Sequence, residues 1–199
     1  AEAYWDIAPS KVNPEEIKII HHGIASSSRN LELMIEMMNY LDKRYKLYLQ
    51  LVVIDNNSKK YFNYLKNIAA GHSNIYFINP VPYQEIVSFT NQFDIGITLV
   101  PPVNLNLHFG LGNKFFQFIQ ARLVLAMGPL IEMKRIVEKF DLGVVSDDFT
   151  PKAMAECIKL LDAEKIMFYK NKCHEHAYTL SAENNRQKVQ FFINELLDR

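Results

Sequence analysis

Residues 110–126 read GLGNKFFQFIQARLVLA and contain, in order, a glycine-rich turn, an Asn-Lys pair, a short amphipathic segment and an apolar run. The pattern predicts a helix that begins at Asn113 and leads into a buried strand, LVLA at 123–126. The N–H groups in the first turn of a helix have no partner within the helix and together carry about half a positive charge. The stretch therefore predicts either a seat for a phosphate-bearing ligand or one more helix of an ordinary α/β domain.

Five further apolar runs stand on either side of this stretch: IKIIHH at 17–22, LQLVVI at 49–54, IYFI at 75–78, IGITLV at 95–100 and GVVS at 143–146. Most are apolar throughout rather than alternating, which is typical of parallel strands that are covered on both faces. Helical segments separate them; Ser58 is predicted to cap one and Pro82 to open another. The sequence therefore predicts an α/β fold with a Rossmann-like parallel sheet of about six strands and helices on both faces.

The composition excludes several classes of protein. The 199 residues contain 22 Lys plus Arg and 22 Asp plus Glu, so no overall field draws the chain to nucleic acid or to an acidic membrane.

The two cysteines, Cys157 and Cys173, are too few for a disulfide framework, which favours a reducing compartment such as the cytoplasm. CHEH at 173–176 would place its two histidines about 200° apart on a helix, so we expect no metal site there.

Candidate ligand-binding residues follow the first and fourth strands, where a parallel sheet binds its ligands. GIASSSRN at 23–30 offers Gly23 for close backbone approach and Arg29 for a bidentate phosphate contact. The alternative is a solvated loop whose serines cap the next helix. PPVNLNLHFGLGNK at 101–114 is a long connection that ends at the predicted helix start. Its glycines permit close approach, Asn113 can cap the helix, and Lys114 adds a full positive charge.

Other polar residues near the expected crevice have both a binding and a structural interpretation. Gln117 lies about one turn into the helix, where its amide can donate to and accept from a hydroxyl-rich ligand. His21, His22 and His108 lie at or beyond strand ends and are either hydrogen-bonding site residues or satisfied structural histidines. The sequence shows no P-loop, catalytic triad or nucleophile elbow, so it identifies no catalytic residue.

Three ordered segments carry a family resemblance: HHGIASSSRNLELMIEMM at 21–38, NIYFINPVPYQEIVSFTNQFDIGITLVPP at 74–102 and FGLGNKFFQFIQARLVLAMGPLIEMKRIVEKFDLGVV at 109–145. Together they resemble the C-terminal, nucleotide-sugar-binding half of GT-B glycosyltransferases, in the retaining family-4-like group of the bacterial surface-polysaccharide type. The resemblance runs from about residue 17 to residue 197. It implies an interdomain linker at 1–16 and a Rossmann-like nucleotide-sugar-binding domain at 17–162. It also implies C-terminal helices at 163–199, ending in a helix that crosses back onto a missing N-terminal domain.

The resemblance also implies roles for individual residues. The donor diphosphate would be bound by Gly23, Arg29, Gly112, Asn113 and Lys114. The segment that begins at Ile78 and ends at Val81 would hold the base through its backbone, and His108, Gly110 and Leu111 would lie near the transferred sugar. The sequence departs from the family at Asn30, where a lysine is frequent, and at Phe109 and Gln117, where the family's E-x7-E pattern has glutamates. Gln117 would contact the ribose, with hydrogen bonds about half as strong as those of a carboxylate.

The resemblance implies a glycosyltransferase of the hexosyltransferase type. It would move a sugar from a nucleotide diphosphate sugar, UDP- or GDP-linked, to a glycan or lipid-linked acceptor in capsule or other polysaccharide biosynthesis. No further cofactor and no nucleic acid would be required. The partner would be the N-terminal acceptor domain of the same protein, without which the chain would be inactive, and through which the cytoplasmic protein would associate with the inner membrane surface.

The missing glutamates leave a second function open. A degenerate GT-B domain that has lost its donor could act as a protein-interaction module. A third alternative is a nucleotide-sugar epimerase-like enzyme on the same two-domain scaffold.

Overall fold

The computed structural model describes residues 1–197, apart from the side chain at position 107. Six strands within this range form a parallel sheet in the order β3-β2-β1-β4-β5-β6. The strands are β1 (Ile17–Ile24), β2 (Tyr45–Val52), β3 (Ile75–Ile78), β4 (Ile95–Thr98), β5 (Val124–Met127) and β6 (Gly143–Val145). The α-helices are α1 (Glu32–Met37), α2 (Asn56–Ala69), α3 (Ile86–Thr90), α4 (Leu105–Phe109), α5 (Asn113–Gln120), α6 (Ile131–Phe140), α7 (Pro151–Lys159), α8 (Ala163–His176) and α9 (Ala182–Leu197).

The sheet separates two apolar cores, and this confirms the predicted Rossmann-like architecture. One core joins the sheet to α1, α2 and α7 through residues such as Met34, Leu65 and Met154. The other joins it to α3, α5 and α6 through residues such as Val87 and Phe118. Because both faces are covered, most strand residues are apolar, as the sequence indicated.

Helix α5 lies unusually close to the sheet because Gly96 of β4 has no side chain. A Cβ atom at this position would lie only 2.4 Å from Cγ of Phe118. The Phe118 ring is fully buried and also meets the His22 ring edge-on, with the two centroids 5.0 Å apart. This contact brings the first turn of α5 against the carboxyl ends of β1 and β4.

Two helix starts differ from the sequence prediction. Helix α2 is capped by Asp55, whose side chain accepts from the Ser58 N–H at 2.7 Å, while the Ser58 hydroxyl accepts from the Asp55 N–H at 2.9 Å. Ser58 is therefore the third residue of the helix and completes a capping box, rather than the cap that we expected. Helix α5 begins at Asn113 as predicted, but its N-cap is Gly112 and no side chain caps it.

Helix α8 belongs to this chain's own core. The buried Lys170 ammonium lies 3.4 Å from the Asp94 carboxylate and donates to the Phe93 carbonyl oxygen at 3.0 Å and to the Ser10 hydroxyl at 2.7 Å. Burial raises the pKa of Asp94 and lowers that of Lys170, and the mutual attraction opposes both shifts. The buried face of α8 therefore packs on the rest of the described chain.

Arg122 connects α8 to the N-terminal segment. This residue adopts a left-handed conformation with φ of 60°. Its guanidinium donates to Nδ1 of His174 at 3.0 Å and to the Tyr4 carbonyl oxygen at 2.7 Å. Cys173 lies buried in the core beside the Leu123 carbonyl. The CHEH segment is thus used for packing and hydrogen bonding within the fold.

Helix α9 has no buried residue, and its apolar side chains Val189, Phe192, Ile193 and Leu196 are all exposed. Searched over residues 1–197, no helix has the length and apolar character needed to cross a membrane.

We predict that Gly96→Ala destabilises the fold by about 1–3 kcal/mol, because the added methyl group must displace the Phe118 ring and with it α5. Urea unfolding measures the change. The control is Gly71→Ala, where a Cβ atom meets nothing within 4 Å and the free energy of unfolding should change by no more than about 0.5 kcal/mol. Equal effects of the two substitutions would show that the close approach at Gly96 is not a constraint.

Candidate functional site

A cleft of about 600 Å³ opens at the carboxyl ends of β1 and β4. From β1 the chain continues outward to β2 and β3, then crosses back to place β4 on the other side of β1. Ligands of open parallel sheets bind at such a reversal of strand order. Nine of the residues that the sequence singled out line this cleft: His22, Gly23, Arg29, Gly110, Leu111, Gly112, Asn113, Lys114 and Gln117.

Two cationic side chains converge over Gly23 at the end of β1. A Cβ atom at Gly23 would lie 3.3 Å from Nη1 of Arg29 and 3.4 Å from Nζ of Lys114. Gly23 also has a φ of 142°, which residues with a side chain rarely adopt. Glycine is therefore favoured here by the backbone conformation, and it also leaves room for the two cationic groups. Their convergence gives one end of the cleft a concentrated positive charge.

Lys114 is hydrogen-bonded to His21. His21 Nδ1 lies 2.9 Å from the Ile97 carbonyl oxygen, so this nitrogen carries the proton, and Nε2 is free to accept from Lys114 Nζ at 3.1 Å. Burial, followed by the positive charge of Lys114, holds the pKa of His21 well below its usual range. Burial, followed by the charge of Arg29, lowers the pKa of Lys114 to about 7. The side chain of Lys114 thus contacts a neutral imidazole.

The loop that carries Arg29 explains one departure from the family pattern. Ser27–Arg29 form a short 3-10 helix, which ends at Asn30 in a left-handed conformation with φ of 45° and ψ of 51°. Asparagine tolerates this region better than lysine does. Asn30 therefore serves the backbone turn that follows Arg29.

The floor of the cleft is polar but uncharged. Gln117, His22 and Thr98 all line it, with exposures of 4%, 5% and 6%. Burial, followed by the charge of Lys114, lowers the pKa of His22 to about 3, so the imidazole is neutral. No carboxylate is found among the described residues that line the cleft. The charge of the site therefore lies at the cationic end.

The remaining walls are mostly apolar. They include Val100 after β4 and Leu130 and Met133 at the start of α6, while Tyr83, 61% exposed, stands at the mouth. These residues were not among the candidates from the sequence. All except Tyr83 follow the carboxyl end of β4 or β5. Ligands of a parallel sheet bind at the carboxyl ends of its strands, so the position of these residues after β4 and β5 was the available signal.

Three predicted site residues are not among those that line the cleft. Ile78 ends β3, which lies two strands away from β1, and its side chain packs on the core. Val81 follows it at the same edge of the sheet. His108 lies in α4 with its ring edge-on to Phe109, the centroids 4.9 Å apart.

Gly110 lines the cleft but also has a structural role. A Cβ atom at Gly110 would lie 2.1 Å from the Asn106 carbonyl oxygen, so the absence of a side chain is needed for the turn after α4.

Solved structures share this fold at low sequence identity. HepE from Anabaena, in complex with UDP and glucose, superposes with a TM-score of 0.72 at 11% identity and covers 90% of this chain and 49% of its own. TarM from S. aureus has a TM-score of 0.69 at 12% identity, and the match covers 97% of this chain and 37% of the TarM chain. WaaG, a glycosyltransferase involved in lipopolysaccharide biosynthesis, has a TM-score of 0.63 at 14% identity, and the match covers 86% of this chain and 46% of the WaaG chain.

No family model and no curated protein matches the sequence. The chain spans less than half of the length of the three solved chains, from 37% to 49%. At identities of 11–14% the likeness establishes the architecture. The chain therefore has the fold of one part of each of these three proteins.

Proposed function

We propose that the cleft binds a nucleotide diphosphate sugar and that the chain is the donor-binding half of a GT-B glycosyltransferase. The observation that carries this proposal is the convergence of Arg29 and Lys114 over Gly23, beside the first turn of α5. Two cations and free helix N–H groups match the charge and the hydrogen-bonding capacity of a diphosphate. Sugar transfer releases a nucleoside diphosphate, and neutralising its growing charge is the main electrostatic task of such a site.

The other parts of the cleft suit the rest of a nucleotide sugar. Gln117 lies one helical turn from the cationic end, and its amide can contact the ribose hydroxyls. We propose that the base lies near the segment from Ile78 to Val81 and near Tyr83, because Tyr83 follows this segment, lines the mouth of the cleft and offers an aromatic face for stacking. The complex of HepE with UDP and glucose supports a nucleoside diphosphate sugar as the donor class, and we propose that its nucleoside is uridine or guanosine.

The activity of the whole protein forms part of the same proposal. We assign it to the retaining family-4-like group, acting on a glycan or lipid-linked acceptor in the synthesis of a surface polysaccharide. The acceptor would be held by an N-terminal domain, and the exposed apolar side chains of α9 offer a surface for that domain. We expect this chain alone to bind donor without transferring the sugar. We place the protein in the cytoplasm, at the inner membrane surface.

The same helix favours the second candidate function. Val189, Phe192, Ile193 and Leu196 expose an apolar stripe, and the cleft lacks the carboxylates that the family uses for its donor. A domain that had lost its donor and acted as a protein-interaction module would show both features. Donor binding separates the two candidates.

We predict that the chain binds UDP- or GDP-sugars and that Arg29→Ala weakens this binding about 10- to 100-fold, the loss expected for one charge-assisted contact. Titration calorimetry with UDP-glucose, GDP-mannose and the free nucleoside diphosphates measures it. Arg44→Ala is the control, because Arg44 pairs with Asp42 just before β2, at the opposite end of the sheet, and should leave the affinity unchanged.

The absence of heat with every nucleotide at millimolar concentration would reject donor binding and favour the interaction module. An Arg29→Ala variant that binds nucleotide as the wild type does would show that Arg29 does not contact the donor.

We predict that binding of UDP-glucose takes up close to one proton at pH 8. The pKa of Lys114 is about 7 without ligand, so at pH 8 most of its amine is neutral, and a diphosphate beside it raises that pKa and restores the charge. The affinity should therefore fall as the pH rises from 7 to 9, by at most about tenfold per pH unit. Calorimetry in buffers of different ionisation enthalpy counts the protons.

Lys114→Arg is the matched variant for this effect, because a guanidinium stays charged throughout that range. Its binding should take up no proton and should vary little with pH. An Arg variant with the same proton uptake as the wild type would assign the uptake to another group.

A further inference from the structure

Two buried polar atoms beneath the cleft have no hydrogen-bond partner among the described residues. They are Nε2 of His22 and Oγ1 of Thr98. Unpartnered polar atoms in a protein interior are rare, and each costs free energy. Both residues line the cleft; His22 is one of the candidate histidines of the sequence, whereas Thr98 was not singled out there.

The two side chains lie on the same face of the sheet. Strands β1 and β4 pair Ile20 with Gly96, and His22 and Thr98 each stand two residues beyond this last pair. Side chains two residues apart on a strand share a face, so both lie on the side of Gly96 that α5 covers. Phe118 packs on Gly96 and against the His22 ring, and it fixes the height of α5 above this pair.

The pair lies one step deeper than the cationic end of the cleft. His22 immediately precedes Gly23, over which Arg29 and Lys114 converge. Gln117 lies one helical turn beyond Lys114, about 4.5 Å along α5. His22, Thr98 and Gln117 thus form a neutral floor directly beside the proposed diphosphate seat.

On the basis of the proposed function, we propose that His22 and Thr98 are specificity residues that hydrogen-bond the hydroxyls of a sugar ring esterified directly to the diphosphate. A neutral imidazole nitrogen and a threonine hydroxyl each suit an alcohol, which both donates and accepts. Both atoms are covered from water in this structure, so the ligand reaches them after a side-chain rotation. The ring is either the ribose or the transferred sugar, since each is attached to one end of the diphosphate.

The proposal predicts opposite effects of one substitution on stability and on binding. Thr98→Val removes a hydroxyl that has no protein partner, so the melting temperature of the free chain should stay the same or rise. The same substitution should weaken binding of the relevant ligand about three- to tenfold, the loss of one neutral hydrogen bond. Thr98→Ser keeps the hydroxyl and should restore binding to within about twofold of the wild type.

The control is Thr90→Val. Thr90 is also a buried threonine, but its hydroxyl donates to the Ile86 carbonyl oxygen at 2.6 Å, within α3. This variant should leave all affinities unchanged. His22→Leu is a second test of the floor and should reproduce the binding effect of Thr98→Val.

The ligands identify the ring. Titration calorimetry compares pyrophosphate, UDP, its 2′-deoxy and 3′-deoxy analogues and UDP-glucose, with the matching GDP series run in parallel. If the ribose occupies the floor, Thr98→Val weakens UDP but not the analogue that lacks the contacted hydroxyl. If the transferred sugar occupies it, Thr98→Val weakens UDP-glucose and leaves UDP unchanged. Pyrophosphate, which has no ring, should respond to Arg29→Ala and not to Thr98→Val.

Distinct results overturn the two levels of the proposal. Two ratios of affinity test the floor: UDP against its deoxy analogues, and UDP-glucose against UDP. If neither ratio changes in Thr98→Val and His22→Leu, the floor does not contact a ring, and this inference fails while the proposed function stands. A drop of several degrees in the melting temperature of Thr98→Val would assign the hydroxyl a structural role. If the wild-type chain binds no nucleotide, the proposed function fails and the inference fails with it.

Discussion

The contact between Phe118 and Gly96 determines where α5 lies, and the cleft depends on that position. A side chain on Gly96 would lift the helix away from the sheet. Lys114 would then move away from Gly23 and His21, and Gln117 would leave the floor beside His22 and Thr98. A single position without a side chain in β4 thus aligns groups from β1, β4 and α5, which are far apart in the sequence.

The positively charged side chains and the neutral polar side chains lie in different parts of the cleft. Arg29 and Lys114 stand together at one end, where their mutual repulsion and the burial of Lys114 disfavour the charged form of the lysine. The adjacent imidazoles of His21 and His22 are neutral, so they add hydrogen-bonding capacity without adding to this repulsion. An anion bound between Arg29 and Lys114 would offset their repulsion, and polar, uncharged groups would lie beside that anion.

The strands and most of the cationic end could be predicted from the sequence, because parallel strands bring their carboxyl ends to one edge of the sheet. Gly23, Arg29 and Lys114 were found by this rule alone. The rule does not give the order of the strands, so it does not show which strand ends meet at one cleft. The segment from Ile78 to Val81 was assigned to the base from the family resemblance, and that assignment stays a prediction. Of the floor residues, His22 and Gln117 were candidates from the sequence, whereas Thr98 was missed. Thr98 becomes conspicuous only when its hydroxyl is seen to lack a partner.

The first residues of the chain are hydrogen-bonded to the start of α9. The Ala182 N–H donates to the Ala1 carbonyl oxygen at 2.9 Å, the Ala3 N–H donates to the Glu183 carboxylate at 2.9 Å, and Arg186 pairs with Glu2 at 2.7 Å. Helix α9 buries no side chain of its own, and in the N-terminal segment the apolar contacts with the core begin at Tyr4. Local unfolding should therefore release the first three residues and the start of α9 together, as one cooperative unit that opens before the sheet does.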